Sequence, residues 1–269
     1  MDAVSDAARD LAVQHAAERL RHADSVHRPC EPVGDLIGDD LGAAYAVQQL
    51  VTELQVIGGA RVSGRKVLDL AETHGGPSVV AGTLVDTMVV RHDERVTGRD
   101  LVQPRVAVRL AVRLVHDIPA GAGPAAVQAA IGAVGAALEI ADMRVFGDQA
   151  TAVDVVADNT GAGLVVLGPE RSLRESPGPW SARVLLDDVA SGPAVEVAWD
   201  DTVARLVELV AVVTEHGKPL LADEVVLLDS FGSAKPLGGD GRYAAEVDGE
   251  VIASIRLGTA RPTMSEEAS

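Results

Sequence analysis

The chain has 269 residues, of which 47% are hydrophobic and only 2% aromatic, so we expect a core built from Val, Leu, Ala and Ile. The formal net charge of −17, from 23 Lys and Arg against 40 Asp and Glu, argues against nonspecific binding to nucleic acid or to an anionic membrane. The single cysteine, Cys30, excludes an intrachain disulfide and a zinc site built from several cysteines.

The N-terminal residues, MDAVSDAARDLAVQHAAERL, carry acids and arginines throughout and contain no apolar stretch. We therefore expect no signal peptide. Apolar runs stay shorter than the length of about 18 residues that a membrane span needs, so no such span is expected. Together these features predict a soluble, cytoplasmic protein.

The first predicted elements are helices. Apolar residues at helical spacing predict one helix over residues 3–24 and a second over about 42–56, preceded by capping acids in the sequence GDD that ends at Asp40. Strands are predicted over 61–68 and 83–91.

The next predicted strand, QPRVAVRLAVRL (103–114), has an unusual composition. Its Val and Leu residues alternate with Arg105, Arg109, Arg113 and two alanines. Because side chains alternate along a strand, this pattern predicts a strand with an apolar face and an arginine-bearing face. The purpose of three arginines on one face of an acidic protein is the main question that the sequence raises.

Short strands and turn residues fill most of the remaining chain. The segment AAVQAAIGAVGAALEI (125–140) is interpreted as a helix of small residues running into a strand around Glu139. One amphipathic helix is predicted over about 201–215, with Gly217 as its C-cap. Helices followed mainly by strands predict an α+β fold with a curved mixed sheet or a barrel-like core.

Several stretches in one order carry a resemblance to a known family: DLIGDDLGAAYAVQQ, GGARVSGRKV, GTLVDTM, LVQPRVAVRLAVRLVHDIP, AALEIADMRV, VVADNTGAGLVVLG and GKPLLADEVVLLDSFG. From about Asp35 to Leu257 the chain resembles the 2-keto-4-pentenoate hydratase and 4-oxalocrotonate decarboxylase group of the fumarylacetoacetate hydrolase superfamily. The resemblance implies a helical N-terminal region (1–62), a mixed β-roll core (63–262), a flexible tail (263–269) and a homodimer or larger homo-oligomer.

The resemblance also implies a divalent metal site, and this sequence departs from it. Family members hold Mg²⁺ or Mn²⁺ with a Glu-x-Glu after QPR and one further Glu in LEI. Here the Glu-x-Glu positions are Ala107 and Arg109, and only Glu139 matches. Because a guanidinium is always charged and repels a cation, we expect a degenerate site with no metal and no other cofactor.

Other positions of the family's site are altered as well. Lys66 is retained, but Leu68, Gly161 and Leu228 stand where the family has Gly, Ser and Thr. These changes indicate a reshaped, more apolar pocket for a small carbonyl or carboxylate compound, such as a polyketide-like secondary metabolite. The predicted substrate-binding residues are Arg105, Ala107, Leu68, Gly161 and Leu228.

The predicted catalytic residues are Arg109, Glu139, Lys66 and His74. Arg109 would receive an oxyanion or carboxylate in place of the metal, Lys66 would add positive charge, and Glu139 would act as a base. His74, in ETHGG, is an acid–base candidate on a loop, although a solvated loop histidine is the commoner case.

Three alternatives stay open. Arg109 and Glu139 could form an inert buried salt bridge that plugs the former metal site. Lys66 could form a surface ion pair. A metal could still bind through Glu72 or His74 together with Glu139.

Two classes of function therefore remain. The first is a metal-independent hydratase- or lyase-like enzyme that acts on an enolisable carbonyl compound by proton transfer, addition or cyclisation. The second is a catalytically silent homologue that serves as an assembly or ligand-binding subunit. We favour the enzyme, because the replacements in the pocket are bulky and apolar rather than random.

Overall fold

The computed structural model describes residues 3–70, 79–146, 150–172, 178–216 and 219–258. Its helices are α1 (Ala3–Val26), α2 (Gly34–Ile37), α3 (Leu41–Ile57), α4 (Pro124–Ala130), α5 (Ala152–Ala157) and α6 (Trp199–His216). Its strands are β1 (Val62–Leu68), β2 (Val80–Val85), β3 (Glu94–Thr97), β4 (Pro104–Leu114), β5 (Ile131–Asp142), β6 (Leu164–Leu167), β7 (Arg171–Ser172), β8 (Trp180–Leu186), β9 (Val189–Ala190), β10 (Val195–Val197), β11 (Val225–Ser230), β12 (Lys235–Pro236), β13 (Gly241–Val247) and β14 (Glu250–Gly258).

The strands form two mixed sheets. The first sheet has the order β2-β1-β11-β4-β5-β6, with β12 paired to β4 and β7 paired to β5. The second has the order β10-β8-β13-β14-β3, with β9 paired to β8. The β1–β11 and β14–β3 pairs are parallel, and the other pairs are antiparallel. The predicted α+β class with a mixed, sheet-rich core after N-terminal helices is therefore confirmed.

The central strand β4 has the alternation that its sequence predicts. Its Val and Leu residues, from Val106 to Leu114, belong to the main hydrophobic cluster, which also includes residues of α1, α3, α6 and the second sheet. Ala111 on the opposite face belongs to a smaller cluster with Ala137 and Leu227. The middle of the arginine-bearing face is therefore a second interior surface, where Arg109 is buried, whereas Arg105 and Arg113 near the strand ends are exposed and partly exposed.

The N-terminal helices are fixed to the later chain by specific polar contacts. The fully buried carboxylate of Asp154 accepts hydrogen bonds from the backbone N–H of Val33 at 2.6 Å and of Gly34 at 3.0 Å. Asp40 caps α3 as predicted, since its side chain accepts from Ala43 N at 3.0 Å. The domain limits given above stay predictions, and the tail lies outside the described residues.

The predicted change from helix to strand around Glu139 was placed too late in the sequence. Helix α4 ends at Ala130, and Ile131–Asp142 is strand β5, paired with β4 along its length. Small residues are required there by close approach: a Cβ at Gly132 would lie 2.0 Å from Val115 Cγ1, and one at Gly135 would lie 2.8 Å from the Pro169 carbonyl oxygen. Likewise, the strand predicted over 83–91 is observed as β2, Val80–Val85.

Within the described part of the chain, no helix combines the length and the apolar character that a membrane crossing needs.

Candidate functional site

Three strands of the first sheet bring Lys66, Arg109 and Glu139 together. Lys66 lies on β1, Arg109 on β4 and Glu139 on β5. Ala107, which stands at a family ligand position, pairs directly with Glu139 in the β4–β5 ladder. The three charged side chains form what we call the charged triad, and all of them are buried, with residue exposures of 1%, 6% and 0%.

The carboxylate of Glu139 is the centre of the charged triad. Its Oε1 lies 2.5 Å from Lys66 Nζ, and its Oε2 accepts a hydrogen bond from Arg109 Nε at 2.7 Å. Arg109 Nη1 also donates to the carbonyl oxygens of Val67 and Leu228, each at 3.2 Å. Arg109 Nη2 has no hydrogen-bond acceptor among the residues that the structure describes.

The charges within the triad do not balance. Two cations face one carboxylate, which leaves one net positive charge in a buried place when all three groups are ionised. Burial lowers the pKa of Lys66 to about 8, Glu139 opposes this shift, and Arg109 adds to it. Burial raises the pKa of Glu139, but Arg109 and Lys66 together outweigh burial and hold it below its usual range. Glu139 is therefore a weak base in this geometry.

A tight turn supports Lys66 from the other side. Lys66 Nζ donates to the carbonyl oxygen of Thr160 at 2.8 Å. The side chain of Asn159 fixes the turn to β2, since it accepts from Thr83 N at 2.6 Å and donates to Thr83 O at 2.8 Å. Thr160 and Gly161 have positive φ angles of 55° and 63°. A Cβ at Gly161 would lie 2.6 Å from Met143 Sδ, so both the backbone conformation and the packing require glycine.

The other predicted site residues occupy varied places. Arg105 is exposed and donates to the Ala234 carbonyl oxygen at 2.5 Å, away from the triad. The side chains of Leu68 and Leu228 pack in the main cluster, so Leu228 reaches the triad only through its carbonyl oxygen. His74 lies outside the described residues.

For Lys66, the alternative of a surface ion pair was wrong, because Lys66 is fully buried and shares the carboxylate of Glu139 with Arg109. The part of the site that the sequence did not reveal is its backbone acceptors. The carbonyl oxygens of Val67 and Thr160 also take part, and a backbone acceptor leaves no signal in side-chain identity. The Asp-Asn-Thr-Gly segment was recognised as a turn motif, and its Asn and Gly residues, which favour positive φ angles, were the available sequence signal for a tight turn at this place.

A divalent cation does not fit the donor set at the triad. The described residues contain no group of three or more His, Cys, Asp and Glu side chains placed to hold a metal. Both oxygens of Glu139 are already held by cations, and Ala107 offers no ligand. Hard cations need several oxygen donors, and the guanidinium of Arg109 provides none. Glu72 and His74, the residues considered as substitute ligands, lie outside the described residues.

Comparison with known proteins gives the family. The chain is 30% identical to a 2-keto-4-pentenoate hydratase of Burkholderia vietnamiensis (strain G4 / LMG 22486), over 96% of this chain and 99% of that protein. The chain belongs to the 2-keto-4-pentenoate hydratase family. A second member of this hydratase family, the TodF product hydratase of Pseudomonas putida, is 29% identical over 91% of this chain. No protein-family model matches the chain.

Solved structures support the hydratase-family fold. The 4-oxalocrotonate decarboxylase from Pseudomonas putida G7, complexed with magnesium and adipate, superposes with a TM-score of 0.82 at 19% identity, covering 93% of this chain and 98% of that chain. A fumarylpyruvate hydrolase from Pseudomonas aeruginosa, in complex with Mn²⁺ and pyruvate, gives a TM-score of 0.53. The resemblance to this group of the fumarylacetoacetate hydrolase superfamily is thus confirmed.

Proposed function

We propose that this protein is an enzyme that acts on a small enolisable 2-oxo acid, with Lys66 and Arg109 supplying the positive charge that relatives obtain from a metal. The relative from Burkholderia vietnamiensis is a 2-keto-4-pentenoate hydratase, and the same class of substrate suits a buried site with excess positive charge. A cytoplasmic location and a homodimer or larger assembly stay predictions.

The observation that carries this proposal is the unequal charge count. An inert plug needs only one cation for one carboxylate, because a buried net charge is costly. Here a second cation is buried beside the same carboxylate. The carboxylate or enolate oxygen of a bound 2-oxo acid would neutralise the extra charge and accept hydrogen bonds from Arg109 Nη2 and Lys66 Nζ.

The proposed chemistry follows from this arrangement. When a proton leaves the carbon next to a ketone, negative charge develops on the carbonyl oxygen, and fixed cations stabilise it. Lys66, with a pKa of about 8, can hold a proton near neutral pH and return it to the substrate. Its lowered pKa makes Glu139 a poor proton acceptor, so a role as the base is disfavoured. Its role in this proposal is to position the two cations.

A catalytically silent homologue is the second candidate. The observation that favours it is the close, buried Arg109–Glu139 contact of 2.7 Å, which is the geometry that an inert plug would have. The two candidates are separated by adding 2-keto-4-pentenoate to the protein in the presence of chelator and following its ultraviolet absorbance. Turnover that is lost in Arg109→Met supports the enzyme, whereas no turnover by the wild type supports the silent homologue.

Metal removal is expected to leave the protein unchanged. Elemental analysis of protein purified with Mg²⁺ and Mn²⁺ in the medium should find neither metal in stoichiometric amount. The melting temperature should be the same with and without excess EDTA, since no ligand binding to the native state is lost. A fall in melting temperature that added Mg²⁺ reverses would contradict the proposal.

The affinity for an anion is expected to fall with rising pH. Lys66 loses its charge as the pH rises through about 8, so the affinity for oxalate should be constant below that pH and should decrease about tenfold per pH unit above it. Oxalate is the probe because it has the shape and charge of a 2-oxo acid enolate. Calorimetric titrations between pH 7 and pH 9.5 measure the affinity for oxalate at each pH. Lys66→Met is the control and should bind weakly at every pH, while a flat wild-type profile would count against Lys66.

A further inference from the structure

A cavity lies on the opposite side of β1 from the charged triad. It has a volume of about 320 Å³ and is bounded by α3, β1, β2 and α6. Neighbouring residues on a strand point to opposite faces. Arg65 therefore faces this cavity, while the next residue, Lys66, points to the other face, toward Arg109 and Glu139. We call it the α3–α6 cavity, and neither the family comparison nor the proposed function uses it.

The walls of the α3–α6 cavity are mainly apolar. Val212 and Val213 of α6 line one side, and Val56, Ile57 and Val62 line the side toward α3 and β1. Ile57 is 81% exposed, so the cavity opens to solvent through an apolar rim. Such a lining favours the carbon skeleton of a small molecule over water.

One buried cation faces the α3–α6 cavity. The side chain of Arg65 is only 8% exposed, and its Nη1 donates to the Gly64 carbonyl oxygen at 2.9 Å and lies 3.3 Å from Glu224 Oε1. Nε and Nη2 of Arg65 have no hydrogen-bond acceptor among the described residues. These two groups have no acceptor from the described protein, so a ligand in the cavity can supply one.

The charges around the α3–α6 cavity define the class of ligand. Glu224 already neutralises Arg65. Two further acids add negative charge: Glu53 lines the cavity, and Glu215 lies next to the stacked rings of Tyr45 and His216. A carboxylate would be repelled by this excess of acids. A neutral molecule with a carbonyl oxygen would satisfy Arg65 without adding charge.

We propose that the α3–α6 cavity binds a small, uncharged, largely apolar molecule that places a carbonyl oxygen against the Nε and Nη2 groups of Arg65. This site is separate from the charged triad. It therefore does not depend on the proposed enzymatic function.

The test uses calorimetric titration of the full-length protein with 2-octanone and with octanoate, which differ mainly in charge. The wild type should bind one molecule of 2-octanone and should bind octanoate at least about tenfold more weakly. Arg65→Gln should weaken ketone binding about tenfold, which corresponds to the loss of a hydrogen bond from a charged donor. The exposed Arg61→Gln provides the matched control, and both it and Arg109→Met should bind the ketone as the wild type does.

A second variant keeps the test decisive if Arg65→Gln does not fold. Val212→Phe fills the cavity, leaves Arg65 and Glu224 in place, and should abolish ketone binding. Four outcomes would overturn the proposal: no saturable ketone binding by the wild type, equal binding of octanoate, binding that survives Val212→Phe, or binding that Arg109→Met removes.

Discussion

Replacing Glu139 by glutamine is expected to lower the free energy of unfolding by about 3–5 kcal/mol, because two buried cations then lose their common counter-ion. This loss of stability is large because the charged side chains are buried: Lys66 and Glu139 are each at most 1% exposed. Urea denaturation followed by circular dichroism measures it. Lys66→Met and Arg109→Met should each cost much less, because the remaining cation and Glu139 still form a neutral pair.

The matched control for Glu139→Gln is Glu170→Gln. Glu170 pairs with Arg113, which lies on the same face of β4 as Arg109, but both partners are about one-third exposed. A surface ion pair of this kind contributes about 0.2–1 kcal/mol, so the control should lose no more than that. The triple variant Lys66→Met, Arg109→Met and Glu139→Leu should recover most of the lost stability. Equal losses in Glu139→Gln and Arg109→Met would contradict the charge count.

Replacing Arg109 by methionine is expected to weaken oxalate binding by about 2–5 kcal/mol, or thirtyfold and more, while the protein stays folded. The guanidinium is one of the two cationic groups of the triad, and its Nη2 group has no acceptor among the described residues. Titration calorimetry on the wild type and the variant gives the ratio of affinities.

Arg105→Met is the control for Arg109→Met. Arg105 lies on the same strand, is exposed and contacts the carbonyl oxygen of Ala234, so its loss should leave oxalate binding unchanged. If Arg109→Met binds oxalate as tightly as the wild type does, Arg109 is no anion receptor. The inert-plug interpretation would then stand.

The sequence predicts β4 well because its two faces differ in composition. Alternating Val and Leu residues define the core face, and Arg109 on the other face could be matched to Glu139 through the family resemblance. The start of strand β5 was misread because Gly and Ala occur on both of its faces, which obscures the alternation of apolar and polar residues. Their size is dictated by contacts such as Gly132 against Val115, which only the tertiary structure reveals.

The three members of the triad were predicted, but the direct contact of Lys66 with Glu139 was not, for a reason of topology. Lys66 on β1 meets Glu139 on β5 although β11 and β4 lie between their strands, and that strand order joins segments far apart in the chain. Leu228 was expected to face a substrate, but the observed alternation of β11 turns its side chain into the main cluster. Motif resemblance identifies the residues of a site, whereas sheet order decides which of them meet.

The central claim is that the cationic side chains of Lys66 and Arg109 stabilise a bound anion without a divalent metal ion. Oxalate titration of the wild-type protein tests this claim most directly. Two titrations are compared, one with excess EDTA and one with excess Mg²⁺. We expect saturable 1:1 binding in both, with the same affinity when each titration is expressed in free oxalate, because Mg²⁺ also binds oxalate in solution. Binding that occurs only with Mg²⁺ would contradict it.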